Sequence, residues 1–230
     1  MGISQEILKL IACVTMLIDH IGYTFLHYPF LRIIGRLAFP IYAFLLSQGL
    51  RHTKSPGKYA LRMFLLLVIS ELPFDILFFG SIDFTHQNVM FTLLLGLLMG
   101  LCIKKTPPLL LKILWVIPFT LLAELLRTDY GGYGICIIAL FILSEYTPHP
   151  RLIETLGLAL MGLFISETAV LILGLPIPMQ FFTLVALIPI SLYNGKKSIP
   201  GPALQWAFYL FYPAHLVILF LVKAIISSNC

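Results

Sequence analysis

Apolar residues run along this chain in blocks long enough to be membrane spans, separated by short polar or proline-containing breaks. A helix needs roughly 20 apolar residues to cross a hydrocarbon core, and hydropathy marks about nine candidate spans. They cover residues 7–26, 33–50, 59–79, 89–103, 109–126, 133–146, 152–173, 180–193 and 204–226. The pattern predicts an all-α fold, a polytopic membrane helix bundle of about nine transmembrane helices, within a range of about 8–10. The eighth block contains Pro189 and follows Pro176 and Pro178, so it is expected to be broken or re-entrant. No break is long enough for a separate soluble domain, and residues 1–230 read as one domain. The start of the chain lacks the basic, apolar and small-residue succession of a cleaved leader, so the first block is expected to be retained.

Composition agrees with this pattern. Hydrophobic residues make up 60% of the chain and charged residues 11%, against roughly 25% charged in an average soluble domain. A lipid bilayer is therefore the expected surrounding. The formal charge of +5 is scattered over the breaks and forms no single basic face, so no nucleic acid is expected as a partner. Lys and Arg are nevertheless ordered. Arg51, Lys54 and Lys58 follow the second block, Lys104, Lys105 and Lys112 the fourth, Arg151 the sixth, and Lys196 and Lys197 the eighth. The breaks between hold only Arg32 and Arg127. Because positive residues accumulate in cytoplasmic loops, this alternation, with Lys9, puts the N-terminus in the cytoplasm. For nine spans the C-terminus then lies outside.

Cys13, Cys102, Cys136 and Cys230 have neither metal-type nor disulfide-type spacing and read as core thiols. No phosphate-binding glycine loop, dinucleotide turn, zinc-protease helix or internal repeat is present, and no metal is expected. Chemistry must come from dispersed polar residues inside the apolar blocks. Such residues usually face a cavity or a partner, because a lipid-facing charge is costly.

In the first block Thr15, Asp19 and Tyr23 recur at helical spacing, as do His20, Tyr23 and His27, giving one polar and aromatic flank. His20 suits proton transfer near neutral pH, with Asp19 to orient it or balance its charge; the plainer reading is a polar network that packs helices together. Arg36, within Gly35-Arg36-Leu37-Ala38-Phe39-Pro40, is an anion anchor, a counterion for Asp19, or a side chain that reaches the interface. Pro40 marks a loosened backbone. Glu71 and Asp75 share a helix face and fit a cation, proton or amine site, or a hydrated helix end. Asn88 and the glycine-rich run Asp129-Tyr130-Gly131-Gly132-Tyr133-Gly134 are further substrate-binding candidates, with Glu124 beside them. His215, after Tyr212-Pro213-Ala214, is a second catalytic candidate that needs a hydrogen-bond partner. His52, His86 and His149 fall in breaks and read as solvated.

These separated motifs, in this order, resemble the TraX family, named for a conjugal-transfer protein that N-acetylates pilin. The matching stretches include Lys9-Leu10-Ile11-Ala12, Met16-Leu17-Ile18-Asp19-His20-Ile21-Gly22, the Gly35–Pro40 motif, Tyr59 with Arg62, and Ser70-Glu71-Leu72-Pro73-Phe74-Asp75. Asn88, Asp129-Tyr130-Gly131, Tyr193-Asn194-Gly195-Lys196 and Phe211-Tyr212-Pro213-Ala214-His215-Leu216 complete them. The resemblance covers nearly the whole chain and implies a multi-pass protein of the bacterial cytoplasmic (inner) membrane. It further implies acetyl transfer from acetyl-CoA to an amine or hydroxyl of a pilin-like peptide, a glycan or a small amine, with a homodimer open.

On that basis His20 or His215 would be the general base or a transient acyl carrier, and Asp19 would orient or charge-balance it. Arg36 would hold substrate charge, Asn88 would donate to the carbonyl oxygen, and Arg51, Lys54, Lys58 and Arg62 would attract CoA phosphates. Positive-inside topology explains the basic loop equally well. A proton-coupled transporter or flippase using Asp19, Glu71 and Asp75, or a noncatalytic partner of a conjugation or secretion apparatus, are the competing functions.

Overall fold

The computed structural model describes residues 2–26, 28–165, 168–172, 174–196 and 202–228, so His27, Lys197 and Cys230 lie outside the described residues. It is mostly helical. Helix α1 (Gln5–Ile21) starts at Ser4, whose hydroxyl accepts from the Ile7 amide at 3.4 Å, and continues as a wider π-turn over Gly22–Leu26. Helices α2 (Pro29–Gly35) and α3 (Ala38–His52) form one rod interrupted at Arg36–Leu37. Pro40 accounts for the interruption, because it has no N–H to offer the Arg36 carbonyl one turn earlier. Helix α4 (Pro56–Phe79) runs through Pro73 and stops at Gly80, which adopts φ 75°.

Helix α5 (Val89–Lys105) follows, capped by Asn88. The fifth apolar block divides at Trp115 into α6 (Leu109–Leu114) and α7 (Val116–Leu125), where Pro118 leaves the Leu114 carbonyl without its helical donor. Helices α8 (Gly131–Ser144) and α9 (Pro150–Phe164) come next. The eighth block is broken into a 3-10 segment, Met179–Ala186, and a short α10 (Leu187–Ser191), and α11 (Pro202–Ser228) closes the chain.

One element departs from the all-α expectation. The seventh block does not stay helical to residue 173: α9 ends at Phe164, and β1 (Ala169–Ile172) pairs antiparallel with β2 (Leu175–Pro178), Ile172 opposite Leu175. Pro176 and Pro178 cannot donate to a helix, and Gly174 takes the left-handed φ of 80° that a tight turn needs.

Helix α8 sits at the centre, packed on α3, α5, α7 and α9, with Ile135, Ile137, Ile138 and Phe141 inaccessible or nearly so. Helix α11 lies against α4, and α1 against both α2 and α3. Antiparallel succession sends the 53–55, 106–108, 145–149 and 192–196 connections to one end, called here the basic end, where Arg51, Lys54, Lys58, Lys104, Lys105 and Lys196 collect. There the Ile3 amide donates to the Leu192 carbonyl at 2.8 Å and Asn194 returns a bond to Ile3, tying the two chain regions together. At the opposite end Gln87 pairs with Thr128 in a parallel bridge.

Among the described residues three helical stretches, Gln5–Leu26, Pro29–His52 and Leu204–Ser228, are long and apolar enough to cross a membrane. On α4 the outward row Leu61, Leu65, Val68 and Leu72 is exposed, as are Ile218, Leu221, Val222 and Ile225 on α11. Apolar surface of this extent is unfavourable in water and favourable in lipid. The protein is a membrane protein.

Candidate functional site

A cavity of about 1460 Å³ extends between the two ends of the bundle. Its wall includes Gln5, Gln48, His52 and Gly195 at the basic end and Thr85, His86 and Asp129 at the other. One face of α1 and of the π-turn that continues it lines the cavity, because Lys9, Cys13, Met16, His20 and Tyr23 follow one another at steps of three or four residues. Midway, Cys13 Sγ lies 3.2 Å from the Tyr42 hydroxyl.

His20 and His215, separated by 195 residues in sequence, meet at 2.7 Å between His20 Nδ1 and His215 Nε2, with rings stacked 13° from parallel. His215 Nδ1 lies 2.8 Å from the Phe211 carbonyl, which only accepts, so Nδ1 carries the proton. In the neutral ring Nε2 is then an acceptor, and His20 Nδ1–H donates to it. That assignment leaves His20 Nε2 with a lone pair and no proton, the state a general base requires. His20 lines the cavity, packed edge-on to Phe78 at 5.3 Å, while the buried His215 sits behind it and does not reach the wall. The two histidines are thus a layered pair and do not face one cavity side by side.

Asp19 also stands on the cavity wall, but it pairs with arginines and not with His20. Its Oδ2 accepts from Arg32 Nη1 at 2.8 Å, and Arg36 Nη2 approaches Oδ1 at 3.4 Å. Arg36 Nε also donates to the Arg32 carbonyl at 3.3 Å. The carboxylate therefore balances two guanidinium groups and does not orient His20, since neighbours on a helix point about 100° apart. Gly35 makes the arrangement possible, because a Cβ at that position would overlap the Asp19 carboxylate. Arg36 is buried at the cavity wall, 5.8 Å from the Tyr130 ring. Tyr130 stacks on Phe39 with centroids 4.0 Å apart and adopts the left-handed φ of 66°. Asp129, on the same wall, accepts from the Tyr130 amide at 3.1 Å, and its backbone carbonyl receives the Thr92 hydroxyl. Burial raises its pKa from the ordinary carboxylate value, against the opposing pull of His86 and Arg36.

Other expected site residues lie elsewhere. Asn88 is fully buried and caps α5: its Oδ1 accepts from the Met90 amide at 2.8 Å, and its Nδ2 donates to the Leu67 carbonyl and to Glu71 Oε2. With both amide hydrogens engaged it has no donor for a substrate carbonyl. Glu71, its partner, and Asp75, which accepts from the Asp83 amide at 3.0 Å, are not part of the cavity wall. Arg51, Lys54 and Lys58 are exposed outside the cavity, and only Arg62 of that group lines it. Glu124 accepts from the Gly132 amide at 2.7 Å and secures the start of α8.

Arg32 and His86 enter the site without having been expected there. Arg32 was legible as the i−4 neighbour of Arg36, although it falls in a break between apolar blocks. His86 lies 6.2 Å from the Phe74 ring and 5.9 Å from the Phe79 ring, on the cavity wall. Only the folding of its loop back over α4 puts it there.

Comparison with known proteins adds a lineage to this geometry. The family model described as TraX protein matches residues 4–223. A probable fimbrial assembly protein, FimC of serogroup H1, from Dichelobacter nodosus is 31% identical over 233 residues, covering 92% of this chain and 92% of that protein. An uncharacterised protein of Rickettsia prowazekii (strain Madrid E) is 28% identical over 209 residues, covering 84% of this chain and 71% of the relative. No solved structure matches the chain.

Proposed function

Because the chain belongs to the TraX family, we propose that it is an acetyltransferase of the bacterial cytoplasmic membrane, with His20 as general base. The reading makes residues 1–230 one multi-pass domain of about nine crossings, N-terminus in the cytoplasm. Acetyl-CoA supplies the activated acyl carbon from the basic end, and the acceptor is an amine or hydroxyl reached from the other end. The observation that carries the proposal is the His20–His215 pair, with His20 on the wall of a cavity that extends to both ends. The wall at the basic end suits an anionic donor, since it contains Lys9 and Arg62, the latter with a buried Nε–H that bonds to no described residue.

The steps follow from the residue chemistry. His20 Nε2 takes the acceptor proton as the nucleophile attacks, and the resulting imidazolium is held through its Nδ1–H by His215 Nε2. Arg36, fixed by Asp19 and the Arg32 carbonyl, stabilises negative charge developing on the carbonyl oxygen. His20 then returns its proton to the departing thiolate. Aromatic rings of Phe74, Phe78 and Phe79 limit water around the base. The named D. nodosus relative favours a pilin-like peptide as acceptor, ahead of a glycan or a small amine.

Thiol release from acetyl-CoA by the purified full-length protein, with a pilin-like peptide present, tests the proposal. Wild type turns over, and His20→Ala falls by about 10²–10⁴ while remaining folded; equal rates in the two proteins would refute the base. A cavity extending to both ends also suits proton-coupled transport. Flux into proteoliposomes driven by a pH gradient, without thioester cleavage, would favour that second reading.

A further inference from the structure

The half of the cavity away from His20 holds a constellation that the chemical steps do not use. Lys9 from α1 and Arg62 from α4 both stand on its wall. The Arg62 guanidinium lies 6.0 Å from the Tyr59 ring and 5.9 Å from the Tyr209 ring. Lys9 Nζ is 5.3 Å from the Phe208 ring. The ion pairs of Asp19 with Arg32 and Arg36, and of Arg151 with Glu154, do not involve Arg62. Its Nε–H is buried and bonds to no described atom.

Leaving a buried donor of a permanently charged group unmatched is unfavourable, and a planar guanidinium fork is matched best by a carboxylate or a phosphate. The single carboxylate on this half of the wall, among the described residues, is Glu6 at the mouth. An incoming anion therefore meets a net positive wall bracketed by aromatic rings. Lys9 and His20 are eleven residues apart on one helix, about 16 Å at 1.5 Å per residue. Between them α1 contributes Cys13 and Met16 to the wall, and next to His20 also Asp19, whose charge is matched by Arg32 and Arg36. A ligand that uses both ends of this face needs an anionic head, an extended arm and a reactive group at its tip.

We infer that this half of the cavity is the subsite for the phosphate-bearing carrier of the acyl donor, anchored by Arg62 and Lys9. The donor's arm lies along the Lys9–Cys13–Met16–His20 face of α1. The inference rests on the acyl-transfer reading but is separable from it by experiment. It also assigns no anchoring role to Arg51, Lys54 and Lys58, which lie outside the cavity.

Two measurements on the full-length protein test it. In steady-state kinetics, Arg62→Gln and Lys9→Gln each raise KM for acetyl-CoA about tenfold, the loss of one charge-assisted hydrogen bond, with a much smaller change in kcat. The KM penalty shrinks with S-acetyl-N-acetylcysteamine, a donor without phosphate, and Lys54→Gln keeps the wild-type KM. In direct binding, CoA itself binds wild type and binds Arg62→Gln about tenfold more weakly; Arg62→Lys, which keeps the charge, recovers part of the affinity. Should Arg62→Gln fail to fold, Lys9→Gln on a different helix provides the same readouts. Unchanged KM and CoA affinity in both folded variants, or no CoA binding by wild type, overturns the subsite. CoA binding that depends on Arg62 without any acetyl transfer retains the subsite and overturns the reaction.

Discussion

His20 owes its proposed role to a residue that never touches the cavity. The Phe211 carbonyl sets the proton on His215 Nδ1, and His215 Nε2 in turn holds the proton on His20 Nδ1. His215 is in this account a positioning residue, and His215→Ala is expected to lower kcat by less than His20→Ala and to shift the pH profile of kcat. A variant with unaltered pH dependence would argue against the relay. Asp19 has a different task. Removing its charge in Asp19→Asn leaves Arg32 and Arg36 close together without a counterion, at a cost of about 3–5 kcal/mol when a buried pair is broken, read as a lower unfolding temperature in detergent. Gly35→Ala acts on the same contact by overpacking and is expected to cost about 1–3 kcal/mol by the same measurement. Histidine, aspartate and arginine inside apolar blocks were visible as candidates from residue type alone. Their pairings were not, since the adjacent Asp19 and His20 diverge whereas His20 and His215 converge.

At the scale of elements, proline governs where helices yield. Pro40 interrupts the rod beside Arg36, Pro118 divides the fifth apolar block, and Pro176 with Pro178 turns the expected end of the seventh into a hairpin. Beside this interruption the Arg36 guanidinium bonds both the Arg32 carbonyl and Asp19. Asn88 is an element-level residue as well. Its side chain caps α5 and bonds to α4, so Asn88→Ala is expected to destabilise the fold by about 1–3 kcal/mol through the lost cap and the unmatched Glu71 and Leu67 acceptors. The acetyl-transfer rate of the folded fraction is expected to stay within about threefold of wild type; a specific loss of kcat at full stability would restore an oxyanion role. Hydropathy located nearly all the helical regions, but the 3.6-residue pattern carries little information about breaks, because an apolar strand or 3-10 turn looks the same as buried helix.

For the whole molecule the decisive property is sidedness. Basic connections gather at one end of the bundle and the cavity links that end to the other, the arrangement on which the proposed arrival of donor and acceptor from opposite faces rests. Single cysteines placed at Lys54 and Asp83 are expected to react with a membrane-impermeant thiol reagent from opposite sides of the membrane, the first from the cytoplasm. Labelling of both from one side would overturn the alternation and the two-sided reaction scheme with it.

Sequence alone determined the environment and the inventory: apolar blocks of helical length, alternating positive breaks, and a small set of polar residues too costly to place in lipid. Those follow from local composition and from transfer free energies, which need no knowledge of neighbours. Tertiary structure decided which candidates share a site. It set His215 behind His20, gave Asp19 to two arginines, withdrew Asn88, Glu71 and Asp75 from the cavity and brought in Arg32 and His86. The reason is that side-chain partnership depends on helix rotation, depth and packing across nearly the full chain, and a contact between residues 195 positions apart has no local signature.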